Sequence, residues 1–533
     1  MRLKAIVRRR SAHLAVNRHL PRPARIAWFQ GVFRRSISFQ VLALGLLASH
    51  PTLGESPLGL PRDLFINGEW RPASDGARVA VHDPATGAEI ATVASASVSD
   101  ARTAIDAAER AFPAWSGLLA TERAAILRRW FDLIVENADA LAEILTAEQG
   151  KPLAEARGEV VYGASFVEWF AEEAKRAYGE VVPTNQQGRR IVVAKQPIGV
   201  CAAITPWNFP SAMILRKAGL ALAAGCTMVL KPASETPLSA LVLAELAQRA
   251  GLPPGVLNVV HGEPEVVGAE LTSNPAVRLL TFTGSTVVGK LLAERCAGTV
   301  KRVLLELGGN APLIVFDDAD LDLALAGTVA SKFRNAGQTC VCANRILVQA
   351  GVHDEFLARL SKVAGRMKVG NGFEDGVEQG PLITEDAVAK VERHIEDALA
   401  HGAKVEQGGS RCAHGNTFFQ PTVLSGASPE MLLAVEETFG PVAPVFRFDT
   451  ESEAIELANS TESGLSAYLF TRDLGRAWRV GEALEFGVVG INTGIISQKA
   501  LPSAASKSPA WAERALDTDW MTTWSSSTCA SRG

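Results

Sequence analysis

Between Gly199 and Leu307 the chain alternates short apolar runs with segments of helical period, and this alternation restricts the fold more than any other feature of the sequence. Gly199–Ile204, Thr227–Leu230, Val256–Val260 and Val277–Phe282 read as strands, while Leu238–Ala250, Glu265–Thr272 and Val288–Cys296 read as helices. Parallel strands need a crossover, and a helix is the compact way to make one, so the pattern predicts a parallel sheet wrapped by helices. Ligands in that architecture bind at the carboxyl ends of the strands. A second alternating block, from Ala311 to Val489, predicts a second α/β domain. Chemistry is expected in the cleft between the two.

The chain has 533 residues, enough for two or three domains. Phe65–Trp70 reads as a strand broken by an Asn-Gly turn, and Asp83–Gly87 as a further turn. After Ser99, the spacing of Ala101, Ile105, Ala108 and Phe112 predicts an amphipathic helix, partnered by a longer one carrying Ile126, Leu127, Trp130, Leu133 and Ile134. Gly150-Lys151-Pro152 marks a break in the chain beyond that pair. Tyr178–Pro197, with β-branched runs around a Gln-Gln-Gly turn, reads as a hairpin arm.

Charge and cysteine usage exclude several classes. A formal net charge of -4 leaves no basic surplus, so nucleic acid is not an expected partner. Seven cysteines without metal-ligand or framework spacing suggest free thiols in a reducing compartment and no metal site. Ten Arg or Lys and no Asp or Glu precede Glu55, with a short apolar run at Val41–Leu47 that is too short to span a membrane. Two readings fit that leader: a mitochondrial transit peptide, or translated upstream DNA ahead of a start near Leu58–Arg62. The second is preferred, which makes the expected location cytoplasmic, with the mitochondrial matrix as the alternative.

Four stretches carry groups suited to chemistry. In Phe333-Arg334-Asn335-Ala336-Gly337-Gln338-Thr339-Cys340-Val341-Cys342, Cys340 is a candidate nucleophile if it is partly exposed and its neighbours stabilise the thiolate; otherwise it is one more small buried residue. Asn208, stiffened between two prolines in Thr205-Pro206-Trp207-Asn208-Phe209-Pro210, is either a donor to a developing oxyanion or a turn asparagine. Glu306 follows an apolar run, and a buried carboxylate there is either a general base of raised pKa or half of an ion pair. Gly284-Ser285-Thr286-Val287-Val288-Gly289 closes a strand and opens a helix, which suits phosphate or is simply a tight turn.

These motifs together resemble the aldehyde dehydrogenase superfamily, and the tandem cysteines resemble its succinate-semialdehyde dehydrogenase branch. The resemblance covers roughly residues 58 to 498. It implies an aldehyde dehydrogenase-like α/β fold: a Rossmann-type NAD(P)-binding domain over 58–305 with the arm at about 178–197, a catalytic domain over 306–489, and a terminal segment over 490–533. It also implies Cys340 as nucleophile, Asn208 and the Cys340 N–H as the oxyanion hole, and Glu306 as activator of the hydrolytic water. Trp207, Lys231, Ser234, Gly284, Ser285, Gly289, Glu437 and Phe439 match cofactor-binding positions, with Lys231 at the adenosine ribose and Glu437 and Phe439 at the nicotinamide end. Arg216, Arg334 and Ser497 match contacts to a substrate carboxylate, although surface ion pairs are the alternative for the arginines. Cys342 is a redox candidate beside Cys340. The implied reaction oxidises succinate semialdehyde, or a related ω-carboxy aldehyde such as glutarate semialdehyde, by way of a thiohemiacetal and thioester. Many NAD-preferring members carry an acidic residue where Ser234 stands, so NADP is expected to serve at least as well as NAD, with Glu235 the competing neighbour.

Past Ser497 the family pattern stops. A Ser- and Trp-rich tail replaces the expected glycine-rich loop and terminal strand. Trp520-Met521-Thr522 must be encoded by TGGATGAC, which read from its third base gives Asp-Asp, and permitted codons from Ala500 onward spell a family-like ending in that frame. A frameshift between Ser497 and Ala500 is therefore expected, with no evolved fold in the tail. The repaired form is expected to be a homotetramer or homodimer; the alternative for the chain as it stands is an inactive relic.

Overall fold

The computed structural model describes Leu58, residues 60–497 and the backbone of Trp524–Arg532, so expectations for the leader and for residues 498–523 lie outside the described residues. Strands β1 (Leu64–Ile66) and β2 (Glu69–Arg71) form a hairpin whose turn holds Asn67 at φ 56 and Gly68 at φ 76, the left-handed pair that an Asn-Gly turn favours. Strands β3 (Arg78–His82) and β4 (Glu89–Ala94) flank the expected Asp83–Gly87 turn, where the Asp83 carboxylate accepts from the Ala85 N–H. Helix α1 (Val98–Ser116) opens on a capping box of Ser97 and Asp100. Helices α2 (Ala120–Glu136), α3 (Ala138–Gln149) and α4 (Leu153–Glu173) come next. The corner between α3 and α4 is Gly150-Lys151-Pro152: Gly150 takes φ 91, and a Cβ there would lie 2.5 Å from the Pro381 ring. Strands β5 (Glu180–Val182) and β6 (Arg189–Pro197) make the expected arm, largely exposed.

The first large sheet then builds from β7 (Val200–Ile204), α5 (Pro210–Ala224), β8 (Thr227–Lys231), α6 (Pro237–Arg249), β9 (Leu257–Val259), α7 (Pro264–Ser273), β10 (Val277–Thr283), α8 (Thr286–Ala297) and β11 (Arg302–Glu306). Its order is β11-β10-β7-β8-β9-β1-β2. The five strands from β11 to β9, those of the alternating block, are parallel as expected; β1 joins β9 antiparallel and brings β2 with it, so the sheet as a whole is mixed. Helix α5 was not readable from periodicity because it is buried on nearly every side, which leaves no polar face to mark a period. Strand order reverses between β7 and β10, and the crevice at their carboxyl ends is the topological switch point.

The second sheet uses β12 (Ala311–Val315), reached directly after β11, then helix α9 (Leu321–Lys332), β13 (Ala343–Gln349), β14 (Lys404–Gln407), β15 (Thr422–Ser425), β16 (Val442–Phe448), β17 (Ser466–Phe470) and β18 (Val488–Ile491). Its order is β14-β15-β16-β13-β12-β17-β18, parallel except at β14. Among the described residues no helix is long and apolar enough to cross a membrane.

The tail differs from expectation. Strand β19 (Trp524–Arg532) pairs antiparallel with β6 in continuous register, from Trp524 opposite Pro197 to Arg532 opposite Arg189. The expectation of a tail without fold is corrected for these residues. An edge strand such as β6 offers backbone N–H and C=O groups that accept any extended partner free of proline, whatever side chains it carries.

Candidate active site

Helix α9 ends at Lys332, and the chain then reverses through consecutive left-handed residues: Asn335 at φ 52, Ala336 at φ 54 and Gly337 at φ 73. A Cβ on Gly337 would sit 2.2 Å from the Gly440 carbonyl oxygen, so the room expected of this glycine is needed. The reversal delivers Cys340 to a cavity of about 710 Å³ lined from both sheets. Gly309 lets the backbone of the β11–β12 turn approach: a Cβ there would lie 2.3 Å from the Cys340 carbonyl oxygen.

Cys340 is partly exposed, as expected of a nucleophile. The second condition, neighbours that stabilise the thiolate, is opposed by most of its surroundings. Burial is the largest effect, with the Glu437 and Glu306 carboxylates adding to it; together they push the thiol up to about 12 against the opposing charge of Arg334.

The turn between β7 and α5 places Asn208 opposite. Its amide donates to the Gln338 carbonyl at 2.9 Å, using one of two hydrogens. The backbone carbonyl of Asn208 accepts from Lys151 Nζ at 2.7 Å and from Asn335 Nδ2 at 3.0 Å. Pro210 then starts α5, where a missing N–H costs nothing.

Glu306 is the last residue of β11 and lines the same cavity. It was expected to be buried; its side chain is 25% exposed because the strand end opens into the cavity, and it lies 3.8 Å from Arg216 Nη2. The ion-pair reading of this carboxylate is therefore met by Arg216, while its position in the cavity is compatible with a general base.

Arg216, Arg334 and Ser497 line the cavity with Cys340. Each guanidinium rests near a ring, Arg334 at 5.3 Å from the Phe209 centroid and Arg216 at 5.7 Å from that of Phe166. Tyr162 joins them and was missed, as were Lys151, Glu159, Asn335 and Gln338. The polar residues Glu155, Glu159 and Tyr162 recur at helical spacing on α4, a signal the sequence did carry.

On the cofactor side, Gly284 and Ser285 follow β10, and Ser285 caps α8 by accepting from the Val288 N–H at 3.4 Å. Gly289 packs α8 so closely that a Cβ would meet Leu307 at 2.3 Å. Trp207 and Phe439 meet edge to face across the cleft, centroids 5.5 Å apart, with Phe439 at φ 56. Glu437 accepts the Gly309 N–H at 3.0 Å, and burial pushes its carboxyl up to about 7. Lys231 and Ser234 stand apart from these, at the carboxyl end of β8. Lys231 is buried, donates to the Pro232 carbonyl at 3.2 Å, and is pulled down to about 8 by burial against the attraction of Glu235 and Glu263. A buried ammonium held by its neighbour's carbonyl, a capped helix N-terminus and a pair of facing rings form a donor set that fits a nicotinamide dinucleotide. Cys342 is buried, its sulfur 3.7 Å from Lys332 Nζ and 3.4 Å from the Gly337 carbonyl oxygen.

A thiol, a side-chain amide and a carboxylate, those of Cys340, Asn208 and Glu306, thus line one cavity between two α/β sheets. The chain belongs to the aldehyde dehydrogenase family, whose model matches residues 70–507. The Escherichia coli (strain K12) succinate-semialdehyde dehydrogenase [NADP(+)] GabD is 60% identical over 443 residues, covering 83% of this chain and 92% of that protein. The Pseudomonas aeruginosa glutarate-semialdehyde dehydrogenase is 59% identical over 443 residues, with the same coverage of 83% and 92%. The crystal structure of succinate-semialdehyde dehydrogenase from Burkholderia pseudomallei superposes with a TM-score of 0.87 at 54% identity, covering 92% of this chain and 100% of that one.

Proposed function

We propose that the protein oxidises succinate semialdehyde to succinate with reduction of NADP or NAD. The observation that carries this reading is the grouping of Arg216, Arg334, Tyr162 and Ser497 in the cavity that holds Cys340, which gives a carboxylate somewhere to bind while the aldehyde reaches the thiol. The Cys340 thiolate adds to the aldehyde carbon, and the Asn208 amide and Cys340 N–H donate to the oxyanion. A nicotinamide dinucleotide, when bound, would supply the hydride acceptor. Glu306 then takes a proton from the water that attacks the Cys340 thioester, releasing the acid. Lys231, Ser234, Gly284, Ser285, Gly289, Glu437, Trp207 and Phe439 would hold the cofactor. NADP serves at least as well as NAD, because exposed Ser234 leaves a 2'-phosphate unopposed and can donate to it beside Lys231.

Glutarate semialdehyde is the second reading, favoured by the Pseudomonas aeruginosa relative. Specificity constants across a series of aldehydes decide between them. Succinate semialdehyde is expected to exceed glutarate semialdehyde, and both to exceed butanal by about tenfold or more, since a site built for a charged partner rejects its absence. Equal or higher constants for butanal would refute both readings.

A further inference from the structure

We infer that the buried pair Lys151–Glu159 positions the oxyanion donor Asn208 and thereby sets the rate of Cys340 acylation. The inference rests on the reading of Cys340 as an acylated nucleophile. Both side chains are 1% exposed and their Nζ and Oε2 atoms are 2.5 Å apart. Lys151 spends another donor on the Asn208 carbonyl at 2.7 Å, and the second oxygen of Glu159 accepts the Ala212 N–H at 3.2 Å.

Asn208 and Ala212 bracket the turn into α5, so the pair grips both flanks of the segment that carries the donor. The ring of Phe209, between them, lies 4.0 Å from Lys151 Nζ. Asn335, from the reversal that presents Cys340, adds its own bond to the Asn208 carbonyl at 3.0 Å and takes one from Gln149 at 3.0 Å. Nucleophile and donor are thus referenced to one carbonyl, and Lys151 is the cation that holds it. Neither Lys151 nor Glu159 touches the reacting atoms; they act through Asn208.

Removing one partner would leave a buried charge unpaired, so the test replaces both, as Lys151→Met/Glu159→Met, with Lys151→Met/Glu159→Gln as a second pair that keeps an acceptor for Ala212. The readout is acylation of Cys340 by p-nitrophenyl acetate in the full chain, which needs the oxyanion hole but no hydride transfer. Asn208→Ala is expected to slow acylation about a hundredfold. The double variants are expected to slow it by about tenfold or more, with the KM for the ester little changed, while adding Asn208→Ala to them costs nothing beyond Asn208→Ala alone. Folded double variants that acylate at the parent rate, or losses that multiply in the triple variant, would overturn the positioning role. An unmodified chain whose Cys340 is not acylated at all would instead overturn the reading beneath it.

Discussion

At Cys340 burial and the Glu437 and Glu306 carboxylates outweigh the Arg334 cation, and its reactivity in the free protein should show it. With the thiol pushed up to about 12, the thiolate fraction rises about tenfold per pH unit through the neutral and mildly alkaline range. The rate of Cys340 alkylation by iodoacetamide should therefore climb steadily from pH 7 to pH 10; a plateau below pH 9 would contradict this electrostatic balance. Cys340→Ala should abolish oxidation, while Ala at Cys201, Cys226, Cys296 or Cys412 leaves turnover, because Cys340 is the partly exposed thiol that lines the cavity with Asn208 and Glu306, whereas Cys201, which also lines it, is buried in β7. Ser234→Glu should shift the ratio of specificity constants toward NAD by repelling a 2'-phosphate, and an unmoved ratio would mean that Glu235 already governs that corner. Cys340, Asn208 and Glu306 were legible as residue types in motifs. Their surroundings were not: Lys151, Glu159 and Tyr162 come from α4 and the corner before it, whose contacts with the cavity exist only once the chain has folded.

At the scale of elements, close backbone approach matters more than side-chain choice. Gly337→Ala must place a methyl group 2.2 Å from the Gly440 carbonyl oxygen at φ +73, so the reversal before Cys340 cannot close without moving its neighbour. A loss of about 3 kcal/mol or more in urea unfolding is expected, together with loss of activity; an unchanged midpoint would show that the reversal can re-form elsewhere. The parallel strands were readable because buried apolar runs bounded by turns have few alternatives. Helix α5 was not, since burial on nearly every side erases the period, and neither was the antiparallel addition of β1 and β2, which depends on a pairing with β9 distant in sequence. Strand β19 was not readable either: an open edge at β6 offers backbone groups with which an extended segment pairs in register.

For the whole molecule, the tail and the catalytic cavity pose separate questions. Replacing residues 498–533 with the family-like ending spelled by the alternative frame should change how the arm of β5 and β6 is covered and alter the oligomeric state seen by light scattering. The same oligomer and equal activity in both forms would mean that the tail as translated already suffices. The central claim, that this cleft oxidises an ω-carboxy aldehyde through a thioester on Cys340, is tested most directly by trapping that thioester. In Glu306→Gln, hydrolysis loses its base while addition and oxidation at Cys340 remain, so succinate semialdehyde with NADP should leave a succinyl group on the peptide containing Cys340, visible by mass spectrometry and absent when butanal or no aldehyde is supplied. An unmodified Cys340 after reduced cofactor has formed, or a succinyl group on a different residue, would contradict that mechanism.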